Sequence, residues 1–269
     1  HNGFVPIPEI QFLAYFHNAE DQLRGEASTL AFFSEGQFMN PMVLRVPGLA
    51  YQKGFGGHFH NDNSLAVFRD LPGVILACPS NGHDAVTMLR TAVRESYKNG
   101  RITVFVEPIA LYMIKDLHKP KDGMWNFKYP DLKEELPIGE FGEYGRGKAL
   151  TIITYGNGLY LSLQAQKEIE KKLNKKIKVI DLKWLSDINL QNLLKAIGTC
   201  AKVLIVDECR KKGCYGEGLI TDMASVSNKR LTIKLHAAED SFIPLGEAAT
   251  VTLPSKESIV KYALELFNG

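Results

Sequence analysis

Residues 71–107 read LPGVILACPSNGHDAVTMLRTAVRESYKNGRITVFVE. A short apolar run, Val74 to Pro79, is followed by a helix-length stretch, Gly82 to Tyr97, and then by a second run rich in β-branched residues, Thr103 to Glu107. Strand-length apolar runs joined by helix-length segments are the signature of βα units built on a mostly parallel sheet, so the class expected is α/β. Working outward, further strands are expected at Pro8 to Phe12 and Met42 to Val46, and helices at Asp21 to Ala31 and Ser64 to Phe68.

The pattern breaks between Leu111 and Arg146, where Pro120, Pro130 and Pro137 punctuate a charged stretch. A structureless segment of that length is unusual inside one compact domain, so 111–146 reads as a linker that joins two domains or wraps a surface. A second α/β unit follows, with strands at Ala149 to Tyr155, Lys178 to Leu182, Val203 to Asp207 and Thr232 to Leu235. Leu159, Leu163, Gln166, Ile169 and Leu173 recur at helical spacing, as do Leu190, Leu193, Leu194 and Ile197, and Lys256 to Phe267 reads as a closing helix. The expected division is a first domain over 1–110, a linker over 111–146 and a second domain over 147–269.

The 269 residues are 45% hydrophobic, enough for one large core or two ordinary domains. Lys and Arg number 32 against 30 Asp and Glu, a balance without the summed positive potential that unselective nucleic-acid binding needs. The longest apolar runs fall well short of the roughly 18 residues of a bilayer span, and the opening residues lack the order of a secretory signal. No nucleic-acid or membrane partner is expected, and the expected compartment is the cytoplasm, or the mitochondrial matrix in a eukaryote. Cys78, Cys200, Cys209 and Cys214 lack the spacing of a zinc or redox motif and read as reduced structural thiols.

Gly156-Asn157-Gly158 follows a strand and opens a helix, but Leu161 stands where a dinucleotide fingerprint needs its third glycine, so a plain turn explains it. The cluster Gly54-Phe55-Gly56-Gly57-His58-Phe59-His60 carries more chemistry, because its glycines let backbone approach a ligand closely. Its histidines have three readings: metal ligands, a structural turn, or a catalytic imidazole in a cofactor cleft. An extended His-x-His would point its rings to opposite faces, and no third ligand sits nearby in sequence, so no metal is assigned.

Several stretches together resemble one family. Glu9-Ile10-Gln11-Phe12, Tyr15 and Asp21-Gln22 are similar to the EIQFxxY and DQ pattern in the beta subunits of thiamine-diphosphate-dependent 2-oxoacid dehydrogenases of the pyruvate and branched-chain type. Arg45-Val46-Pro47, Phe59-His60, Leu71-Pro72-Gly73, Pro79-Ser80, Asp84-Ala85 and Phe105-Val106-Glu107-Pro108 follow in the family's order. In the second unit Thr154-Tyr155-Gly156, Val179-Ile180-Asp181-Leu182 and Gly213-Cys214-Tyr215-Gly216-Glu217 continue it.

The resemblance implies a transketolase-like pyrimidine-binding domain followed by a transketolase carboxyl-terminal domain. It implies thiamine diphosphate shared with an alpha subunit or alpha domain that holds the diphosphate and magnesium. Gln11 and Tyr15 match positions that meet the cofactor's aminopyrimidine, and His60 matches the loop histidine facing the reacting carbon. His58 falls on an apolar family position. The family also implies a dimer of beta halves, a lipoyl acyltransferase core as partner and a small 2-oxoacid as substrate. A monovalent cation is possible, although Ala92 to Arg101 departs from the family's pattern there. The family glutamate that hydrogen-bonds the pyrimidine lies upstream of the strand holding Gln11, so the chain is expected to be an amino-terminally truncated portion, inactive alone. The alternatives are a non-catalytic module that docks on the acyltransferase core and, less favoured, a transketolase-type enzyme.

Overall fold

A computed structural model describes residues 2–49, 59–228 and 230–269. The βαβ unit read from residues 71–107 is present: β2 (Val74–Ala77), α3 (Gly82–Asn99) and β3 (Ile102–Pro108), with β2 and β3 parallel. Local chemistry sets the limits of α3. The Asn81 side chain accepts from the Asp84 backbone N–H at 3.0 Å, supplying one of the donors that a helix start leaves unpaired, and Gly100 ends the helix in the left-handed region at φ 64°. β1 (Met42–Gly48) lies parallel on the other side of β3, giving the order β1-β3-β2.

The segment before β1 is extended along its free edge. Val43 and Arg45 N–H groups donate to the Pro6 and Pro8 carbonyls at 3.1 and 2.9 Å, and Ile10 N–H donates to the Arg45 carbonyl at 2.9 Å. The expected strand at Pro8 to Phe12 is thus a strand-like edge that stops at Ile10. From Phe12 the chain turns into α1 (Leu13–Asp21), passes through a π-helical turn (Gln22–Ala27) and ends in α2 (Leu30–Phe33). The expected helix at Asp21 to Ala31 therefore starts earlier and is broken. The Ser28 and Thr29 hydroxyls bond back to the Arg24 and Gly25 carbonyls at 2.9 and 2.7 Å, which competes with the regular ladder. The helix expected at Ser64 to Phe68 is a 3₁₀ turn, Leu65–Asp70.

The second sheet has the order β4-β6-β5-β7-β8, built from β4 (Gly142–Tyr144), β5 (Thr151–Thr154), β6 (Lys178–Asp181), β7 (Lys202–Arg210) and β8 (Thr232–Ala238). All neighbours are parallel except β4, which runs antiparallel to β6. Helices α4 (Asn157–Leu173), α5 (Leu190–Ile197), α6 (Tyr215–Val226) and α7 (Lys256–Asn268) connect and cover it. The architecture is the expected α/β one with mostly parallel sheets. Residues 111–146 wrap a surface, with a correction at their end: three residues read as linker form the edge strand β4. Upstream, Arg90 Nη1 donates to the Glu134 carbonyl at 3.0 Å and Thr91 Oγ1 to the Leu136 carbonyl at 2.8 Å, tying this segment to α3.

The two sheets share a core in which Val46, Leu49, Leu76 and Val104 pack with Ile153, Tyr155, Ile180 and Leu182. The outer edge of β2 is extended by residues 183–186: Cys78 N–H donates to the Lys183 carbonyl at 2.8 Å and Leu185 N–H to the Leu76 carbonyl at 2.7 Å. Trp184, fully buried, inserts among Val43, Ile75, Met88 and Phe105 of the first unit. All four cysteines are buried and free. Among the described residues no helix is long and apolar enough to cross a membrane.

Candidate functional site

Parallel α/β sheets collect their sites at the carboxyl ends of their strands. Here that edge gathers the ends of both sheets. β1 runs out at Gly48 and Leu49, β5 at Tyr155 and Gly156, and β7 at Asp207 to Arg210. Their approach is close: a side chain placed on Gly156, whose φ is +53°, would meet Cys78 Sγ at 3.2 Å and Leu49 Cδ1 at 3.3 Å. Glycine is required there for conformation and space together.

α1 rises from this edge. Its buried Leu13 and Phe16 pin it to the core, and the approach is tight enough that a Cβ on Gly48 would lie 2.9 Å from Leu13 Cβ. Pinning those residues leaves Tyr15 half-buried on the site side. The loop carrying His60 comes up opposite. The His60 ring lies edge-on to Phe12, with centroids 4.4 Å apart, and edge-on to Tyr15 at 6.0 Å. Phe59 stacks on Tyr15 at 6.2 Å with 24° between the planes. The edge-to-face and offset arrangements are those that aromatic quadrupoles favour, each worth about 0.5–1.5 kcal/mol beyond buried area.

Tyr15 and His60 are therefore brought together around Phe12. Gln11 sits exposed at the bend just before Phe12. His58 and the glycines at 54–57 lie outside the described residues. Sequence reasoning singled out Phe59 only as a neighbour of His60, and it missed the residues that hold the loop. Asp62 lies 3.2 Å from His17 Nε2 of α1 and 3.4 Å from Arg210 Nη2 of β7. The buried Asn63 donates to the Glu208 carbonyl at 2.5 Å. Polar pairs so far apart in sequence leave no periodic signal, although Asn61, Asp62, Asn63 and Ser64 in a row after His60 form a cluster of turn-forming residues.

Buried acids lie behind this surface. Glu208 is enclosed at the end of β7, and burial next to Asp207 pushes its carboxyl up to about 8, opposed by a hydrogen bond from Asn157. Asp181 at the end of β6 is pushed up to about 7 by burial, against the pull of Lys183. Its Oδ1 accepts from Ser80 Oγ at 2.7 Å. Lys183 and Asp84, both largely buried, pair at 2.9 Å between the two units.

A half-buried tyrosine ring packed beside an imidazole, with an exposed amide four residues before the tyrosine, is a set of groups that can meet a flat, hydrogen-bonding heterocycle such as an aminopyrimidine. Among the described residues no group of three or more His, Cys, Asp or Glu could hold a metal ion. A cavity of about 1180 Å³ opens elsewhere, between α3, β3 and residues 109–135, and none of the three candidates lines it. Its walls are mostly apolar, and two of its charged residues pair with one another, Arg45 with Glu107 at 2.5 Å.

With this geometry in hand, comparison with known proteins is informative. Residues 143–258 match the family model of the transketolase C-terminal domain. Over 97% of its length the chain is 25% identical to the pyruvate dehydrogenase E1 component subunit beta of Bacillus subtilis, and 26% identical to that of Staphylococcus epidermidis, covering 76% of each. A solved structure titled "Split gene transketolase, inactive beta4 tetramer" superposes with a TM-score of 0.69 at 16% identity, over 98% of this chain and 76% of that one, a likeness of fold. Residues 143–258 are thus similar to the transketolase C-terminal domain, and the chain over nearly its whole length is similar to the beta subunits of the pyruvate dehydrogenase E1 component.

Proposed function

We propose that this chain is the beta part of a 2-oxoacid dehydrogenase component, acting with an alpha part in oxidative decarboxylation of a small 2-oxoacid and transfer of the acyl group to a lipoyl carrier. The observation that carries this reading is the joint placement of Tyr15 and His60, 6.0 Å apart, at the carboxyl edge of the strands.

In this reading thiamine diphosphate, when bound, supplies the electron sink that lets carbon dioxide leave. The alpha part holds its diphosphate and magnesium. The chain's own residues orient, dehydrate and move protons. Tyr15 offers a ring face to the aminopyrimidine, and Gln11 offers an amide with both a donor and an acceptor to the heterocycle's edge. His60 holds or delivers a proton on the substrate side, a role suited to imidazole because it titrates near neutral pH. Phe12 packs edge-on against His60 and Phe59 stacks on Tyr15, which holds the two rings in place.

The test is reconstitution. The full-length protein is combined with its alpha partner, thiamine diphosphate and magnesium, and 2-oxoacid-dependent reduction of an artificial electron acceptor is followed. Turnover that His60→Ala lowers by roughly 10²–10⁴ is the expected result. No turnover with pyruvate or any short branched 2-oxoacid contradicts the reading.

A further inference from the structure

We infer that Arg210 is a positioning residue for His60, clamping its loop from the carboxyl-terminal domain; this rests on the reading of His60 given above. The clamp begins with an irregularity in β7. Asp207 pairs with Ala237 of β8 and Arg210 with the next residue, Ala238, so extra residues bulge out of β7 between them. Bulges re-aim side chains and recur beside active sites. This one turns Arg210 toward the loop, where its guanidinium meets three successive residues. Nη1 lies 3.5 Å from Asp62 Oδ1 and 3.4 Å from Asn63 Oδ1, while Nη2 lies 3.4 Å from Asp62 Oδ1 and donates to Ser64 Oγ. Phe242 packs near its other side, with the ring centroid 6.0 Å from Arg210 Cζ.

Asp62 is the pivot. Its Oδ1 also accepts from Ser64 Oγ at 2.6 Å, and its Oδ2 faces His17 Nε2 of α1 at 3.2 Å. One carboxylate thereby joins the helix that carries Tyr15 to the sheet that carries Arg210, with the loop between them. His60 stands two residues before Asp62, so a displacement of Asp62 passes to the ring with little chain to absorb it. Misplacing a catalytic group by about an ångström is costly in rate. The planar fork of arginine suits several acceptors at once, which a lysine ammonium does not reproduce. Asn63 separately bolts the loop to the Glu208 carbonyl, and Arg69 Nη1 donates to the Gly213 and Cys214 carbonyls at 2.9 and 2.8 Å, so the two units stay joined without Arg210.

The experiment compares wild type, Arg210→Ala, Arg210→Lys and Asp62→Asn. The first readout, on the chain alone, is the rate at which diethyl pyrocarbonate modifies His60, with His118 as an internal reference, followed by peptide mass spectrometry. The second is kcat and KM after reconstitution with the alpha partner. Arg210→Ala should raise His60 modification at least threefold with His118 unchanged. It should lower kcat at least tenfold with KM within twofold, and Arg210→Lys should fall in between. Unchanged modification, or raised modification with unchanged kcat, overturns the inference, as does failure of all three variants to fold. Absence of turnover in the wild type would sink the proposed function, while the modification rates would still decide whether Arg210 sets the environment of His60.

Discussion

Tyr15 reaches the cleft from a helix and His60 from a loop, so the two rings depend on different kinds of support. Tyr15 is placed by the burial of Leu13 and Phe16, which fixes the rotation of α1. Replacing it with alanine should weaken thiamine diphosphate binding to the reconstituted protein by roughly fivefold, the equivalent of about 1 kcal/mol of ring stacking, measurable by titration of cofactor-dependent turnover. Glu208 supports a different prediction. Its carboxyl is raised to about 8 in the folded chain, so below the unfolded carboxyl value it is protonated in both states and costs nothing. As pH rises toward 8 the unfolded chain ionises first, and stability is lost. Glu208→Gln removes that penalty. The variant should be more stable than wild type at pH 8 by on the order of 2 kcal/mol, with the gap closing toward pH 5, measured by urea unfolding at the two pH values. A gap independent of pH would contradict the assignment. Tyr15 and His60 stood out in the sequence by residue type and resemblance, and the structure brings their rings together. Asp62 and Arg210 did not stand out, because an ion pair between distant segments exists only once both units have folded.

At the scale of elements, α3 and the strands beside it could be read from the sequence because strand-length apolar runs flank a helix-length segment, and the structure adds the asparagine cap and terminal glycine that bound the helix. The reading failed where a segment is too short to show a period. β4 has three residues and no alternation to detect, and its place is set by pairing of Tyr144 with Val179 and Gly142 with Asp181. The broken helix at 13–33 failed for another reason, local bonding by Ser28 and Thr29 hydroxyls against the ladder. Residues 183–186 form the joint between units, and Trp184 is its largest buried side chain. Trp184→Ala should destabilise the chain by about 3–5 kcal/mol, through lost burial and the cavity left behind, and lower the thermal midpoint accordingly. A loss below about 1 kcal/mol would mean that the units are joined elsewhere.

For the molecule as a whole, one core spans both sheets, since Val46 and Leu76 of the first unit pack with Ile153 and Leu182 of the second. The full chain should therefore unfold in a single cooperative transition, with calorimetric and van't Hoff enthalpies equal; two resolved transitions would contradict a shared core. The α/β class was visible in the sequence, while the joint between the two sheets was not, because packing across it follows no sequence period. That joint matters for function, since the cleft draws Tyr15 and His60 from one unit and the supports of the His60 loop from the other. The most direct test of the central claim is a crystal structure of the chain assembled with its alpha partner and thiamine diphosphate. The aminopyrimidine should lie within about 4 Å of the Tyr15 ring, at stacking distance, with the His60 imidazole facing the thiazolium. A cofactor seated away from both side chains would contradict the account.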